Sequence, residues 1–255
     1  MNNPKNLTLS IITVCLNADK SIEKSINSVI SQKTHEIEYI IIDGDSSDAT
    51  KTILNKYRDN IDVIISEKDE GIYNAMNKGV NIATGDYVYF LGADDILIEN
   101  ILIKIMPILK SDNDVIHYGQ VILQPDNKLY GGKFNKWRLI HKNISHQAIF
   151  YPKKVFSEKR FNEKYKILAD WDLNLYLISK NYKFIYNGLI ISNFKRDGIS
   201  SYGDKIFLKD FRKIIKNYFG IKESLYLIFI IKTPILIINF IVTKFYKLKN
   251  LKFRI

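Results

Sequence analysis

Short apolar, β-branched runs alternate with helix-period segments along the front half of the chain. Leu9 to Val14 predicts a buried strand, and Ser21 to Ile30 follows with Ile22, Ile26, Val29 and Ile30 at helical spacing. Ile37 to Ile42 predicts a second strand and Asp48 to Tyr57 a second helix, with Ile53, Leu54 and Tyr57 inward and Ser46, Ser47 or Asp48 as its N-cap. Val63 to Ile65 is a third strand, Gly71 to Ala83 a third helix, and Tyr87 to Leu91 a fourth strand. Strands alternating with helices imply parallel pairing through right-handed crossovers. The back half departs from this rhythm. Asp114 to Leu123, Ser145 to Tyr151, Tyr182 to Tyr186 and Leu189 to Phe194 read as strands, while Leu168, Trp171, Leu175 and Ile178 mark the buried face of a helix. A mixed sheet with helices on both faces is expected. From Asp204 to Phe219 a basic amphipathic helix is predicted to bury Ile206, Phe207, Phe211, Ile214, Ile215 and Tyr218.

In an open parallel sheet the ligand sits beyond the carboxyl ends of the strands. Those ends carry Thr13 to Asn17, then Asp43 to Asp48, then Glu67 to Gly71, then Gly92 to Asp95. Three of the four loops are acidic, so Asp43, Asp69, Asp94 and Asp95 are expected to converge on one crevice. Two like charges at about 4 Å repel by roughly 4 kcal/mol at an effective dielectric of 20, a cost that a divalent cation removes. The Asp43 loop is also good turn and cap chemistry, whereas a turn requires neither Asp94 nor Asp95. Asp86 reads as a turn residue at the opposite end of its strand, and Cys15 as a small buried hydrophobe.

Composition narrows the classes. At 255 residues, with 12 Gly, 5 Pro and 46% apolar residues, the chain is a globular protein of one core and an appendage. A lone cysteine and the polar stretch Met1 to Lys5 are what a reducing cytoplasmic setting would give. The net charge of +11 sits mostly at one end: Gly203 to Ile255 holds twelve basic residues against Asp204, Asp210 and Glu223. Leu225 to Val242 is nearly continuous apolar sequence interrupted by Lys232 and Pro234, marginal for a bilayer span. Residues 203–255 are therefore expected to lie on the inner leaflet of a membrane, as a helical appendage to residues 1–202. The aliphatic character of that tail argues against nucleic acid as a partner. A Gly-x-Gly-x-x-Gly turn, a phosphate-binding Gly-Lys-Ser/Thr loop, a zinc-spaced Cys/His cluster and a Gly-x-Ser-x-Gly elbow are all absent from the sequence. The remaining candidate is a carboxylate site for Mg²⁺ or Mn²⁺ bridging to phosphate oxygens.

Ser10 to Asn17, Ile41 to Asp48, Asp69 to Gly79, Ala83 to Asp86 and Phe90 to Asp95, in this order and spacing, resemble glycosyltransferase family 2. The resemblance runs from about Leu7 to Ser200 and implies the α/β GT-A fold, with a nucleotide-binding half over 7–95 and an acceptor half over 96–202. It also implies a nucleotide-sugar donor, a divalent metal (Mn²⁺ or Mg²⁺) and inversion at the anomeric carbon. The family pattern makes Asp95 the metal ligand and Asp94 a ribose or second metal contact. Asp43 and the loop carrying Thr13, Val14, Leu16 and Asn17 match positions that hold base and ribose. Asp69 matches an acidic position beside the nucleotide sugar, with Asn77 and Lys78 in the segment after it. Asp170, in Ala169-Asp-Trp-Asp172, matches the catalytic base, with Asp172 as the fallback; a favourable charge at a helix N-terminus is the competing reading of Asp170. Trp171 is expected to point into the core with Leu168 and Leu175, leaving Asp170 and Asp172 off that buried face. His146, in Ser145-His-Gln147, is either a contact to donor phosphate or acceptor or a structural hydrogen-bonder.

Three positions depart from the family pattern, Gly44, Gly92 and Ala169, where many members carry acidic residues. The implied activity is transfer of a UDP-linked hexose or N-acetylhexosamine to a lipid-linked or oligosaccharide acceptor in bacterial surface polysaccharide synthesis, at the cytoplasmic face of the inner membrane. A non-catalytic nucleotide- or glycan-binding module and a sugar nucleotidyltransferase are the alternatives, the latter lacking its Gly-rich basic loop here.

Overall fold

The computed structural model describes residues 8–112, 114–195 and 204–226. The chain divides into two compact units, Met1–Phe207 and Leu208–Ile255. In the first unit β1 (Leu9–Cys15), α1 (Ile22–Ile30), β2 (Ile37–Asp43), α2 (Thr50–Lys56), β3 (Val63–Ser66), α3 (Ile72–Ile82) and β4 (Tyr87–Gly92) follow the predicted alternation. β1 pairs in parallel with both β2 and β4, and β2 with β3, so the four strands end on one edge.

Alternation along the strands supplies two apolar faces. Ile11, Tyr39, Ile41, Tyr89 and Leu91 pack into one core cluster with Ile22 and Ile26 of α1. On the opposite face α3 approaches β1 closely: a Cβ at Gly79 would stand 2.6 Å from Ile12 Cγ2, so the glycine is what permits the contact. Phe90 points to that same side and meets Phe156 and Phe161 at 5.9 and 5.2 Å between ring centroids.

The second half is built from β5 (Ile96–Leu97), α4 (Ile101–Ser111), β6 (Ile116–Gln124), β7 (Lys128–Tyr130), α5 (Lys136–His141), β8 (Ile149–Pro152), α6 (Val155–Glu158), α7 (Ala169–Ser179) and β9 (Phe184–Lys195). Among the described residues the sheet has nine strands in the order β3-β2-β1-β4-β8-β6-β9-β5, with β7 paired to β6. β8 runs antiparallel to β4, which makes the sheet mixed as the sequence implies.

Four local expectations are corrected. The strand expected from Ser145 starts at Ile149, because His146–Ala148 forms a short 3₁₀ turn. Tyr182–Tyr186 and Leu189–Phe194 are one strand, β9, bent at Gly188, whose φ of +77° suits glycine and would strain other residues. α7 is buried nearly all round instead of along one stripe: Asp170 and Asp172 are only 5% and 1% exposed, while Trp171 is half-buried. Its indole N–H donates to Leu139 O at 2.7 Å and its ring stacks on Phe207. In α8 (Lys205–Phe219) Phe207 is buried, but Ile206 is half exposed. Among the described residues no helix is long and apolar enough to cross a membrane, and the apolar tail from Leu227 onward lies outside the described residues.

Candidate functional site

Register places the loop residues along the common edge: Cys15 is opposite Asp43, Asp43 opposite Ser66, and Val14 opposite Gly92. Adjacent strands are about 5 Å apart, and β1, which carries no carboxylate at its end, separates β2 from β4. The acidic residues share the edge but not one cluster, and among the described residues no group of three or more His, Cys, Asp or Glu is placed to hold an ion. Asp43 and Asp69 lie to one side of β1 on this edge, and Asp94 and Asp95 to the other.

The first group braces the rim. Asp43 is fully buried and its oxygens accept from the Ser46 N–H and hydroxyl, from Ser66 Oγ at 2.6 Å and from Cys15 Sγ at 3.7 Å. Burial, then the charge of Asp43, pushes the Cys15 thiol up, so it is inert. Asn17 ties the first loop to the second: its N–H donates to Ser46 Oγ at 2.8 Å and its Oδ1 accepts from Ser47 N–H at 2.9 Å. Thr13 is buried against the Tyr39 hydroxyl, Val14 is half-buried, and Leu16 is 56% exposed at the lip. Asp69 caps the start of α3 through Gly71 N–H at 2.8 Å, and its other oxygen lies over Gly44, where a Cβ would collide with it. Of these residues, Leu16 and Asn17 are exposed and Val14 and Asp69 partly so, while Asp43 and Thr13 are buried.

Asp94 and Asp95 form the second group. Asp95 is 1% exposed; its Oδ2 accepts from Gln147 Nε2 at 2.9 Å and its Oδ1 from Lys195 N–H at 3.0 Å. Burial, followed by the charge of Asp94, pushes the Asp95 carboxyl up to about 6, and burial likewise raises Asp94. A Cβ at Gly92 would stand 2.5 Å from Asp95 Oδ2, so the glycine makes room for that carboxylate. Two adjacent carboxylates that repel each other fit an ion that takes one or two carboxylates and completes its shell with water and substrate phosphates, as Mg²⁺ does. Gln147 carries no assignment from the sequence, although it stands beside His146; its role in fixing Asp95 emerges only from the fold.

At the N-terminus of α7, Asp170 Oδ1 receives Trp171 N–H at 2.8 Å and, at 3.0 Å, the Tyr73 hydroxyl, whose proton is shared with Ile167 O at 2.7 Å, and Oδ2 faces His146 Nδ1 at 3.2 Å. Burial and then the charge of Asp170 raise the Tyr73 phenol, which therefore stays a proton donor. Asp172 points elsewhere, into an ion pair with Lys159 at 3.0 Å. Asn77 and Lys78 are structural in this arrangement. Asn77 bonds Phe161 O, Phe161 N–H and Glu163 Oε1 at 3.0, 3.1 and 2.7 Å, and Lys78 bonds Lys68 O and Glu67 at 2.8 and 2.7 Å.

The family described as "Glycosyl transferase family 2" matches residues 10–171. A PGL/p-HBAD biosynthesis glycosyltransferase of Mycobacterium bovis is 34% identical over 203 residues, 76% of each chain. The amylovoran biosynthesis glycosyltransferase AmsB of Erwinia amylovora is 26% identical over 74% of this chain and 70% of its own. An Escherichia coli protein, UDP-Glc:alpha-D-GlcNAc-diphosphoundecaprenol beta-1,3-glucosyltransferase WfgD, is 32% identical over 48% of this chain and 49% of its own. The crystal structure of S. aureus TarS 1-349 in complex with UDP-GlcNAc superposes with a TM-score of 0.66 at 17% identity, over 83% of this chain and 65% of that one, a likeness of fold. With its mixed sheet and the family match over residues 10–171, the chain belongs to glycosyl transferase family 2 and is a glycosyltransferase of the GT-A fold.

Proposed function

We propose that this chain transfers a sugar, with inversion, from a UDP-sugar to a hydroxyl of a lipid-linked saccharide in the synthesis of a bacterial surface polysaccharide. The observation that carries the reading is Asp170: a nearly buried carboxylate held by Tyr73, Trp171 N–H and His146. A carboxylate oxygen keeps lone pairs beyond one hydrogen bond, so Asp170 retains capacity to take a proton. The acceptor oxygen forms its bond to the anomeric carbon as the bond to the diphosphate breaks with its electron pair leaving on the diphosphate. The acceptor proton passes to Asp170, and no covalent intermediate is needed. Asp94 and Asp95 would hold a divalent cation, which when bound supplies positive charge against the departing diphosphate.

The lip formed by Val14, Leu16 and Asp69 is assigned to the nucleotide. TarS was crystallised in complex with UDP-GlcNAc, and WfgD is named for a UDP-Glc donor and a diphosphoundecaprenol-linked acceptor. Both relationships support a UDP donor here, and the second supports a lipid-diphosphate acceptor. The basic, apolar tail, 203–255, is assigned to the inner face of the membrane where such acceptors reside. The test is a screen of UDP-sugars with and without Mn²⁺ against a synthetic lipid-diphosphate sugar. Metal-dependent UDP release coupled to product is expected, and UDP release that ignores every acceptor would reject the acceptor class.

A further inference from the structure

From Asn127 to Ser157 the chain carries seven basic residues and no Asp or Glu. That stretch contains β7, α5 and the turn presenting His146. Arg138 is pinned in place: its guanidinium donates to Lys133 O at 2.6 Å and Gly131 O at 2.7 Å and lies 4.4 Å from the Phe134 ring centroid. Lys142 Nζ sits 4.1 Å above the Tyr130 ring. Arg138 and Lys142 are both half-buried, and among the described residues neither they nor Lys128 pair with a carboxylate. Burial, then the charges of Arg138 and Lys128, holds the Lys142 ammonium below the ordinary lysine value. Lys128 is exposed, but the two half-buried cations, Arg138 and Lys142, are costly side by side without an anion.

The cluster borders Asp170. The Trp171 indole bonds Leu139 O of α5, and the Tyr130 hydroxyl bonds Asn143 O, whose side chain accepts from Asn174 of α7 at 3.1 Å. Burial and the charge of Asp170 push the Tyr130 phenol up to about 12. In a displacement with inversion the leaving diphosphate departs on the face opposite the base, so cations beside the base serve the acceptor and not the donor. Five guanidinium N–H groups less the two given to carbonyls leave three for a ligand, which suits a multiply charged phosphate.

We propose that Arg138, Lys142 and Lys128 form an oxyanion subsite for the phosphate groups of a prenyl-diphosphate-linked acceptor. The inference rests on the assignment of Asp170 to the acceptor side. Farnesyl diphosphate titrated into the full chain saturated with UDP and Mn²⁺ should bind, and farnesol should not. Inorganic pyrophosphate should compete with it. Lys142 makes no hydrogen bond that shapes the loop, so Lys142→Gln should weaken farnesyl diphosphate about tenfold at unchanged Tm, with Lys142→Arg restoring it. In turnover, Lys142→Gln should raise KM for a lipid-diphosphate sugar and leave KM for the octyl glycoside of the same sugar unchanged. Equal affinity in wild type and Lys142→Gln, no displacement by pyrophosphate, or equal KM changes for both acceptors would each overturn the subsite. Loss of farnesyl diphosphate binding in Lys142→Gln, together with no transfer to any lipid acceptor, would reject the acceptor class and leave the subsite standing.

Discussion

His146 Nδ1 stands 3.2 Å from Asp170 Oδ2, and the two residues come from a 3₁₀ turn and a helix start that are 24 positions apart. Imidazole and the Tyr73 hydroxyl hold the carboxylate from its two ends, so its orientation is set before substrate arrives. Asp170→Asn should lower transfer by about 10³-fold, the middle of the range of general base contributions, with UDP affinity retained. His146→Ala should cost about tenfold in kcat, because it orients the base without replacing it. UDP release measured with the true acceptor checks both. Near-normal turnover in Asp170→Asn would remove it from the reaction.

Asp95 gives a pH dependence with a definite sign. Its carboxyl is raised from 3.8 to about 6 in the folded chain, chiefly by burial. The folded state therefore binds this proton more tightly than the unfolded chain does. The associated stability is full below about 4 and is lost as pH rises through about 6, a contribution on the order of 3 kcal/mol. Asp95→Asn does not titrate. The difference in Tm, variant minus wild type, should grow more positive between pH 4 and 7 and level off above. A flat difference would show that Asp95 is not held above its ordinary value.

The parallel half of the sheet was legible because β-branched runs such as Leu9 to Val14 and Ile37 to Ile42 leave no other reading, and the loops after them follow from topology. Asp170 was legible as a residue but not in its setting. A helix read for one buried stripe gives the wrong answer when Asp170 and Asp172 turn inward as well, since hydrogen bonds and an ion pair compensate their burial and periodicity does not register either. The 3₁₀ turn at His146–Ala148 and the clamp of Gln147 on Asp95 depend on contacts across 52 positions, beyond any local pattern. The partners of Asn77 and Lys78 were not legible for the same reason: they lie in loops that only the fold brings near.

Gly92 and Gly44, the two departures from the family pattern on the sheet edge, are both tightly overlaid. Each lies beneath a carboxylate, Asp95 over Gly92 and Asp69 over Gly44. Gly92→Ala should displace Asp95 from Gln147 and Lys195 N–H, cutting metal-dependent turnover about tenfold or more and costing about 1–3 kcal/mol of stability, since the buried Gln147 amide loses its partner. Raising Mn²⁺ should recover part of the loss. Wild-type turnover at limiting Mn²⁺ would show that the clearance is not needed.

Asn77 separates a supporting role from a binding one. The family resemblance sets it in the segment beside the donor, but its amide is spent on both backbone groups of Phe161 and on Glu163. Those bonds fasten the 161–163 loop to α3, under Tyr73, whose ring packs on Phe161 at 5.2 Å between centroids. Asn77→Ala leaves a buried carbonyl and a buried N–H unpaired, a cost of about 2–4 kcal/mol. The loop carries no group that a sugar nucleotide would touch in this assignment, so KM for the donor should stay within about twofold at a temperature where the variant is folded. Because Tyr73 steadies Asp170, a modest fall in kcat should accompany the lower Tm. A large rise in donor KM at wild-type Tm would reverse this reading and return Asn77 to the nucleotide sugar.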